Sequence, residues 1–260
     1  MRAPLPRQFR YFAFVVVALV ATPLVALLWR VPWSRIHELL REQVVVDALI
    51  LSLVTSLIAA GTALLLGIPV ALILSRMEGI KASITRALMT LPMVLPPVVG
   101  GAALLFAFGR NGVLGSSLED VTGLVLPYSL AGVVLANTFV ALPFVVLTTE
   151  TALRSLDPRF ELAAASLGAN QTRVTMQVVL PSIKGSLVAA GVLAWARALG
   201  EFGATITFAG NVPGSTQTMP LAVFVAMETD QDAALAMSVV LILVSLTVLV
   251  ALRDRWWPAR

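Results

Sequence analysis

Six apolar runs, each about twenty residues or longer, dominate this sequence of 260 residues. A bilayer core about 30 Å thick is crossed by a helix of roughly 20 apolar residues, because a helix bonds all its backbone polar groups internally. Each run therefore predicts a membrane-spanning helix. The predicted spans are approximately Tyr11–Trp29, Ala48–Ser75, Ala87–Gly109, Leu124–Thr149, Ser186–Phe208 and Ala233–Leu252. We expect an all-α integral membrane protein that forms one domain over residues 1–260.

The composition excludes several other classes of protein. Hydrophobic residues make up 58% of the chain, charged residues only 12%, and the mean hydropathy is +0.93. There is no cysteine, so disulfides, thiolate nucleophiles and cysteine-ligated metals are excluded. The single histidine, His37, lies in a charged loop and is assigned no metal or catalytic role. Basic residues are spread over short loops instead of one face, which argues against nucleic acid as a partner.

Lysine and arginine are distributed unequally between the two sides of the predicted bundle. Thirteen of the 18 lie in the termini and in the loops after the second and fourth spans, whereas four lie in the other loops. Loops rich in these residues stay in the cytoplasm, so both termini are predicted to be cytoplasmic. The first run is long and no clear cleavage site ends it, and we interpret it as a retained helix rather than a signal peptide.

The cytoplasmic loop between the fourth and fifth spans, about residues 150–184, carries signals for ordered structure. Asp157, followed by proline, is typical of a helix start, since its side chain can cap the helix and proline suits the first turn. Gly168 is placed where a helix ends in a left-handed residue, and Asn170 can cap a second helix that continues toward Pro181. We expect a helix–turn–helix at the membrane face. Capping and charge alone favour a solvated connector, because loops are usually surface.

The spacing of small residues in this loop resembles the EAA loop of ABC importer permeases. Ala163 and Ala164 are followed by Gly168 and, after nine intervening residues, by an aliphatic-x-Leu-Pro sequence that begins at Val178. One departure is that Leu162 stands directly before the alanines, with the acidic Glu161 one position earlier. The resemblance implies a type I ABC importer permease, whose loop docks on a separate ATPase subunit. It assigns that coupling contact to Asp157, Glu161, Ala163, Ala164, Gly168, Leu180 and Pro181.

Catalysis by this chain is not expected. The phosphate-binding pattern G-x-x-x-x-G-K-[ST] is absent, so ATP and Mg²⁺ are assigned to the partner ATPase and no cofactor or metal to this chain. An intramembrane enzyme would need a nucleophile with a base or metal ligands, and no histidine, cysteine or lysine lies within a predicted span. An ion-coupled carrier usually keeps unpaired intramembrane carboxylates, whereas Glu201, the one acidic residue in a predicted span, can pair with Arg197.

The fifth predicted span contains this charged pair and two threonines. Arg197 and Glu201 are four residues apart, so a continuous helix would place them on one face, where they can pair. Arg197 could line or gate an anion path, or the two could form a structural ion pair. We favour the structural pair because its charge is largely neutralised. Thr205 and Thr207 could offer hydroxyls to a passing anion, although buried threonines usually bond to their own helix backbone.

The third predicted span is interrupted by proline and glycine. Pro92, Pro96, Pro97, Gly100 and Gly101 lie within ten residues and must kink or break a helix. Broken helices at membrane depth are tolerated where they line a cavity or are buried by neighbours. A pathway gate or hinge and a simple packing kink are both compatible with this pattern.

The segment GEFGATITFAGN at residues 200–211, with PGSTQTMPLA at residues 213–222, resembles the molybdate, tungstate and sulfate permeases. Within that group it resembles the molybdate branch, which implies import of molybdate or tungstate; a sulfate or thiosulfate permease is the alternative. The resemblance also implies a bacterial inner membrane location, a second permease copy and an extracytoplasmic oxyanion-binding protein. One intramembrane arginine is too few to bind a tetrahedral dianion tightly, which suits a binding protein that selects the substrate.

Overall fold

The computed structural model describes residues 6–251, and that range is helical without any β-strand, as the apolar runs predict. The helices are α1 (Arg7–Arg30), α2 (Ile36–Leu39), α3 (Gln43–Arg76), α4 (Gly79–Val94), α5 (Pro97–Phe108), α6 (Gly115–Thr122), α7 (Leu130–Arg154), α8 (Arg159–Ser166), α9 (Gln171–Val174), α10 (Leu180–Ser182), α11 (Lys184–Leu199), α12 (Gly203–Phe208), α13 (Met219–Thr229) and α14 (Gln231–Ala251). A π-helical turn, Thr175–Val179, joins α9 to α10.

Four helices, α1, α3, α7 and α14, are long and apolar enough to cross a membrane. Two more crossings are obtained if each bent pair is counted as one span. These pairs are α4 with α5, which meet at 114°, and the segment from α9 to α10 with α11, which meet at 72°. The predicted number of six spans is therefore obtained only if two of the spans are broken helices. The predicted end of the sixth span at Leu252 lies outside the described residues.

The third and fourth predicted spans have different boundaries in the structure. Instead of one helix beginning at Ala87, α4 begins at Gly79 and the chain turns sharply at Pro96, because consecutive prolines cannot continue the α4 hydrogen-bond pattern. The fourth helix, α7, begins at Leu130 rather than Leu124. Its start is fixed by Ser129, whose Oγ accepts a hydrogen bond of 3.1 Å from the backbone N–H of Gly132.

The fifth predicted span is also divided. Helix α11 ends at Leu199 and α12 begins at Gly203, so Gly200, Glu201 and Phe202 form a non-helical break where we predicted a continuous helix. The break carries Gly200 and the acidic Glu201, with Gly203 directly after it, and these residues were interpreted as part of one continuous helix. Because of this break, Arg197 lies in the last turn of α11 and Glu201 lies outside both helices.

Helix α7 occupies the centre of the bundle and contacts α3, α4, α11 and α12. Small side chains allow the close approach: Ala63 of α3, Ala141 of α7 and Ala194 of α11 are fully buried in one cluster. A Cβ atom added at Gly67 of α3 would lie 2.8 Å from Cγ1 of Val145 in α7, so a side chain there would force Val145 to move. Small residues are typical of helix contacts in membranes, where close packing replaces the hydrophobic effect between helices.

Helix α13 was not predicted, because its 11 residues are too few to cross a bilayer and were assigned to an outer loop. It contacts α3 and α14, and its residues Met219 and Ala222 are buried against both. The backbone N–H of Met219 donates a hydrogen bond of 2.6 Å to the Ser52 hydroxyl of α3. This bond satisfies one of the donors that a helix N-terminus leaves free inside the apolar interior.

Candidate functional site

The loop after α7 has the local structure that its sequence predicts. The Asp157 carboxylate accepts a hydrogen bond of 2.9 Å from the backbone N–H of Arg159, at the start of α8. Gly168 has a φ of +83°, in the left-handed region that favours glycine. The Asn170 side chain accepts a hydrogen bond of 2.8 Å from the N–H of Arg173 and caps α9. Two short helices separated by a tight turn are therefore present, as predicted.

Helix α8 presents an apolar surface to its surroundings. None of its residues is buried, and Ala163 is exposed while Ala164 is half-buried. The larger apolar side chains are also exposed: Phe160 by 56%, Leu162 by 66% and Leu167, at the end of the helix, by 90%. Exposed apolar groups clustered on one loop are typical of a surface that contacts another protein.

Glu161 of α8 is engaged within the chain. Its carboxylate accepts a hydrogen bond of 3.1 Å from Nη2 of Arg76, the last residue of α3. Both side chains are partly exposed, so the pair is screened by solvent, and its main structural consequence is to join α8 to the end of a membrane helix. The acidic residue of the loop thus has a partner other than the one assigned from sequence.

The sequence predicts that the second helix of the loop ends at Pro181, but in the structure it continues past this residue. The chain bends two residues later, at Ile183, and Pro181 lies in the first turn of α10. The preceding π-helical turn has a wider hydrogen-bond pattern, which accommodates the missing N–H of proline. Pro181 is exposed, Leu180 is half-buried, and Val179 beside them is buried.

The broken third and fifth spans meet at a close crossing of α5 and α12. A Cβ atom added at Gly101 would lie 2.7 Å from Cβ of Thr207 and 2.8 Å from the backbone oxygen of Ala204. A Cβ atom added at Gly203 would lie 2.6 Å from Cβ of Pro97. The two helices therefore touch through their backbones. This contact, which we name the α5–α12 crossing, joins the proline-rich stretch to the GEFGATITFAGN segment. Its residues are Pro97, Gly101, Gly203, Ala204 and Thr207.

Other predicted pathway residues lie around this crossing. Pro96 forms the turn before α5, and a Cβ added at neighbouring Gly100 would lie 3.2 Å from the Phe139 ring of α7. Pro92 lies inside α4, on the other arm of the 114° bend. The proline-rich stretch is therefore a true break, and only its second half reaches α12.

Arg197 and Glu201 form the predicted ion pair, at 2.5 Å between Nη1 and Oε2. Because α11 ends at Leu199, the pair spans a helix end and not one continuous helix face. The other oxygen of Glu201 accepts a hydrogen bond of 2.8 Å from the backbone N–H of Ala204 and so caps α12. The Glu201 side chain is 1% exposed and that of Arg197 is 28% exposed. This geometry favours the structural interpretation of the pair.

The two threonines of α12 have different partners. The hydroxyl of Thr207 donates to the carbonyl of Gly203 at 2.8 Å, which is the ordinary behaviour of a threonine in a helix. The hydroxyl of Thr205 is buried and donates to the side-chain oxygen of Asn137 in α7 at 3.4 Å. Thr207, which is partly exposed, is the more accessible of the two to a passing anion.

A charge cluster around one buried carboxylate was missed by the sequence analysis. Glu150 of α7, with a side chain 5% exposed, pairs with Arg86 of α4 and with Arg154 of α7. Glu150 follows directly on the predicted fourth span, where a charged residue is expected to be solvated. The spacing of Glu150 and Arg154 by four residues was the available signal. Among residues 6–251, no group of three or more His, Asp or Glu side chains could hold a metal ion.

Comparison with known proteins finds membrane components of transport systems. Residues 63–256 match the family described as binding-protein-dependent transport system inner membrane component. The chain is 44% identical over 251 residues to the molybdenum transport system permease protein ModB of Mycobacterium tuberculosis, covering 96% of this chain and 95% of that protein. It is 34% identical over 239 residues to the sulfate transport system permease protein CysT of Escherichia coli, covering 92% and 86%.

The fold is similar to that of a chain in the crystal structure of a bacterial ABC transporter involved in the import of alginate. The TM-score is 0.71, and the similarity covers 98% of this chain and 97% of that chain at 15% sequence identity. At this identity the similarity establishes the arrangement of helices alone.

Proposed function

The chain belongs to the family of binding-protein-dependent transport system inner membrane components, and from this membership we propose that it is the permease subunit of an ABC importer of molybdate. The observation that carries the proposal is the 44% identity to a molybdenum permease over 96% of the chain. Sulfate is the second candidate substrate, because a sulfate permease is 34% identical over 92% of the chain. Tungstate, which has the same tetrahedral shape and charge as molybdate, is a third.

We propose that α8 and the turn at Gly168 dock on a separate ATPase subunit. The support is physical: α8 has no buried residue, and its apolar side chains are exposed on a loop whose backbone N–H groups donate to the side chains of Asp157 and Asn170. The ATPase would bind ATP and Mg²⁺, while this chain binds no cofactor and performs no catalysis. Leu167, 90% exposed at the tip, is the side chain best placed to enter an apolar pocket of that partner.

The translocation pathway is proposed to lie between two copies of this chain. The centre of a single bundle is filled by α7 and its buried neighbours, which leaves the surfaces of the bundle as the place for a passage. The α5–α12 crossing is the candidate gate, with Pro96, Pro97, Gly100 and Gly101 on one side. Arg197, Glu201, Thr205 and Thr207 lie on the other side, and Pro92 is a hinge candidate within α4.

The same proposal covers how the oxyanion reaches the permease and how the chain is oriented in the membrane. An extracytoplasmic oxyanion-binding protein would select the substrate, since the permease offers few charges with which to bind a dianion. The distribution of Lys and Arg favours cytoplasmic termini and a cytoplasmic α8, within a bacterial inner membrane. The whole chain would act as one membrane domain, with residues 150–184 as its coupling loop.

The proposed function is tested by measuring molybdate uptake into vesicles that contain this chain, its ATPase and its binding protein. We expect uptake that requires ATP and persists in the presence of excess sulfate. ATP-dependent uptake of sulfate instead would show that the substrate is sulfate, and the assignment as an ABC importer would stand. Uptake that persists without ATP but disappears when a proton gradient is dissipated would contradict the importer assignment.

Gly168→Val is expected to weaken binding of the ATPase by about thirtyfold. The left-handed conformation costs an ordinary residue about 1–2 kcal/mol, and more for a β-branched one, so the turn would change shape. A Cβ at this position meets nothing within 4 Å, so the change would not disturb the rest of the chain. The measurement is the dissociation constant of the purified permease and ATPase.

Gly168→Asn is the matched control, because asparagine adopts the left-handed conformation readily. It should retain most of the affinity for the ATPase. Equal losses in the two variants would show that the added side chain, and not the shape of the turn, disturbs the contact. Unchanged affinity in both would contradict docking at this turn.

A further inference from the structure

The charge cluster around the buried carboxylate of Glu150 joins α4 to α7 through two hydrogen bonds and contains a third within α7. Nε and Nη2 of Arg86 donate to the two oxygens of Glu150 at 3.2 Å and 2.6 Å. Nε of Arg154 donates to the same carboxylate at 2.9 Å. The two-pronged contact of Arg86 fixes both distance and orientation between α4 and α7. Because the carboxylate is buried, it cannot exchange these partners for water at low cost.

Arg154 extends the cluster to a third helix. Its Nη2 donates to the carbonyl oxygens of Leu74 at 3.0 Å and Met77 at 3.4 Å. These carbonyls lie at the end of α3, where a helix leaves its last carbonyl groups without internal partners. A single side chain therefore holds the end of α3 against α7.

The end of α3 is in turn joined to α8. Arg76, one residue before Met77, is the residue that donates to Glu161 of α8. The contacts thus run from α8 through the end of α3 and through Arg154 and Glu150 to Arg86 of α4. Beyond Arg86, α4 leads to the break at Pro96 and so to the α5–α12 crossing.

We propose that Arg76, Glu161, Arg154, Glu150 and Arg86 form a relay that transmits movement of α8 to α4. These five are positioning residues for the transport cycle, and the proposal rests on the proposed function, in which α8 is the element that the ATPase moves. The bonds of Arg86 and Arg154 to the buried Glu150 carboxylate hold α4 and α7 in a fixed orientation. The partly exposed Arg76–Glu161 pair joins α8 to the end of α3, so a displacement of α8 would pull on the helices that the cluster holds together. The broken α4–α5 span then converts movement of α4 into movement at the crossing.

A purely structural cluster would behave differently. Breaking such a cluster would lower the stability of the permease. The protein that remains folded would still import the normal amount of molybdate for each ATP hydrolysed. A relay makes the opposite prediction, since ATP hydrolysis continues while fewer turnovers reach the gate. The ratio of molybdate imported to ATP hydrolysed therefore separates the two roles.

The test uses the exposed link, because the side chains of Arg76 and Glu161 are 54% and 39% exposed and we expect their substitution to leave the fold intact. Arg76→Glu and Glu161→Arg, each alone, are expected to lower molybdate imported per ATP by about fivefold or more in vesicles containing the full complex. The double variant Arg76→Glu with Glu161→Arg restores an oppositely charged pair and should recover most of the ratio. Lys81→Glu, an exposed charge reversal in the first turn of α4, is the control and should leave the ratio unchanged.

Glu150→Gln adds a test of the buried link, with Glu150→Asp as the conservative variant that retains the charge. We expect Glu150→Gln to lower the ratio and Glu150→Asp to recover part of it. A normal ratio in the single Arg76 and Glu161 variants, or no recovery in their double variant, would overturn the relay. Both outcomes presuppose ATP-dependent molybdate uptake by the unaltered complex; its absence would refute the proposed function instead.

Discussion

Arg197→Ala is expected to lower the free energy of unfolding of the permease by about 3–5 kcal/mol, because it leaves a buried carboxylate without its counter-charge. The Glu201 side chain is 1% exposed and lies at 2.5 Å from the Arg197 guanidinium. Removal of the guanidinium leaves this buried carboxylate with the hydrogen bond from the backbone N–H of Ala204 but without its ion-pair partner. Unfolding of the purified protein in detergent, followed by circular dichroism against denaturant, measures the loss.

The double variant Arg197→Ala with Glu201→Gln should recover most of the stability that the single variant loses. Glutamine keeps an oxygen that can accept the hydrogen bond from Ala204, so the cap of α12 is retained while the unpaired charge is removed. Such recovery identifies the pair as structural. The opposite pattern, with stability unchanged by Arg197→Ala but molybdate uptake lost, would show that Arg197 serves the anion path.

The first part of the loop at residues 150–184, through the start of α9, could be predicted because its determinants are local. Asp157, Gly168 and Asn170 each act on backbone groups within three residues of themselves, and all three occupy the conformations or make the bonds that their side chains favour. The number of apolar runs was equally informative about the membrane class. These signals require no knowledge of what the rest of the chain does.

Features that depend on contacts between distant segments were not predicted. The break after Leu199 is stabilised by Glu201, whose cap and ion pair replace the helix bonds that are lost. Helix α13 owes its position to contacts with α3 and α14, and a short apolar segment alone is compatible with many positions. Glu150 and Arg86 lie 64 residues apart, so their pairing had no signal in the sequence.

Gly101→Val is expected to destabilise the permease by about 3 kcal/mol, at the upper end of the usual cost of overpacking. The first added atom alone would lie 2.8 Å from the backbone oxygen of Ala204 and 2.7 Å from Cβ of Thr207, and backbone cannot rotate away as a side chain can. The α5–α12 crossing would have to open. Denaturant unfolding and molybdate uptake should both be measured, since the same contact is the candidate gate.

Gly61→Val is the matched control, because Gly61 is also a helical glycine, in α3, and a Cβ there meets nothing within 4 Å. Equal destabilisation at the two positions would mean that the loss arises from valine in a helix and would contradict the close crossing. Gly101→Ala, which adds only the first atom, separates packing from gating. If this variant binds the ATPase and unfolds normally but does not transport, the crossing must open and close during import, whereas parallel losses of stability and uptake would assign it to packing alone.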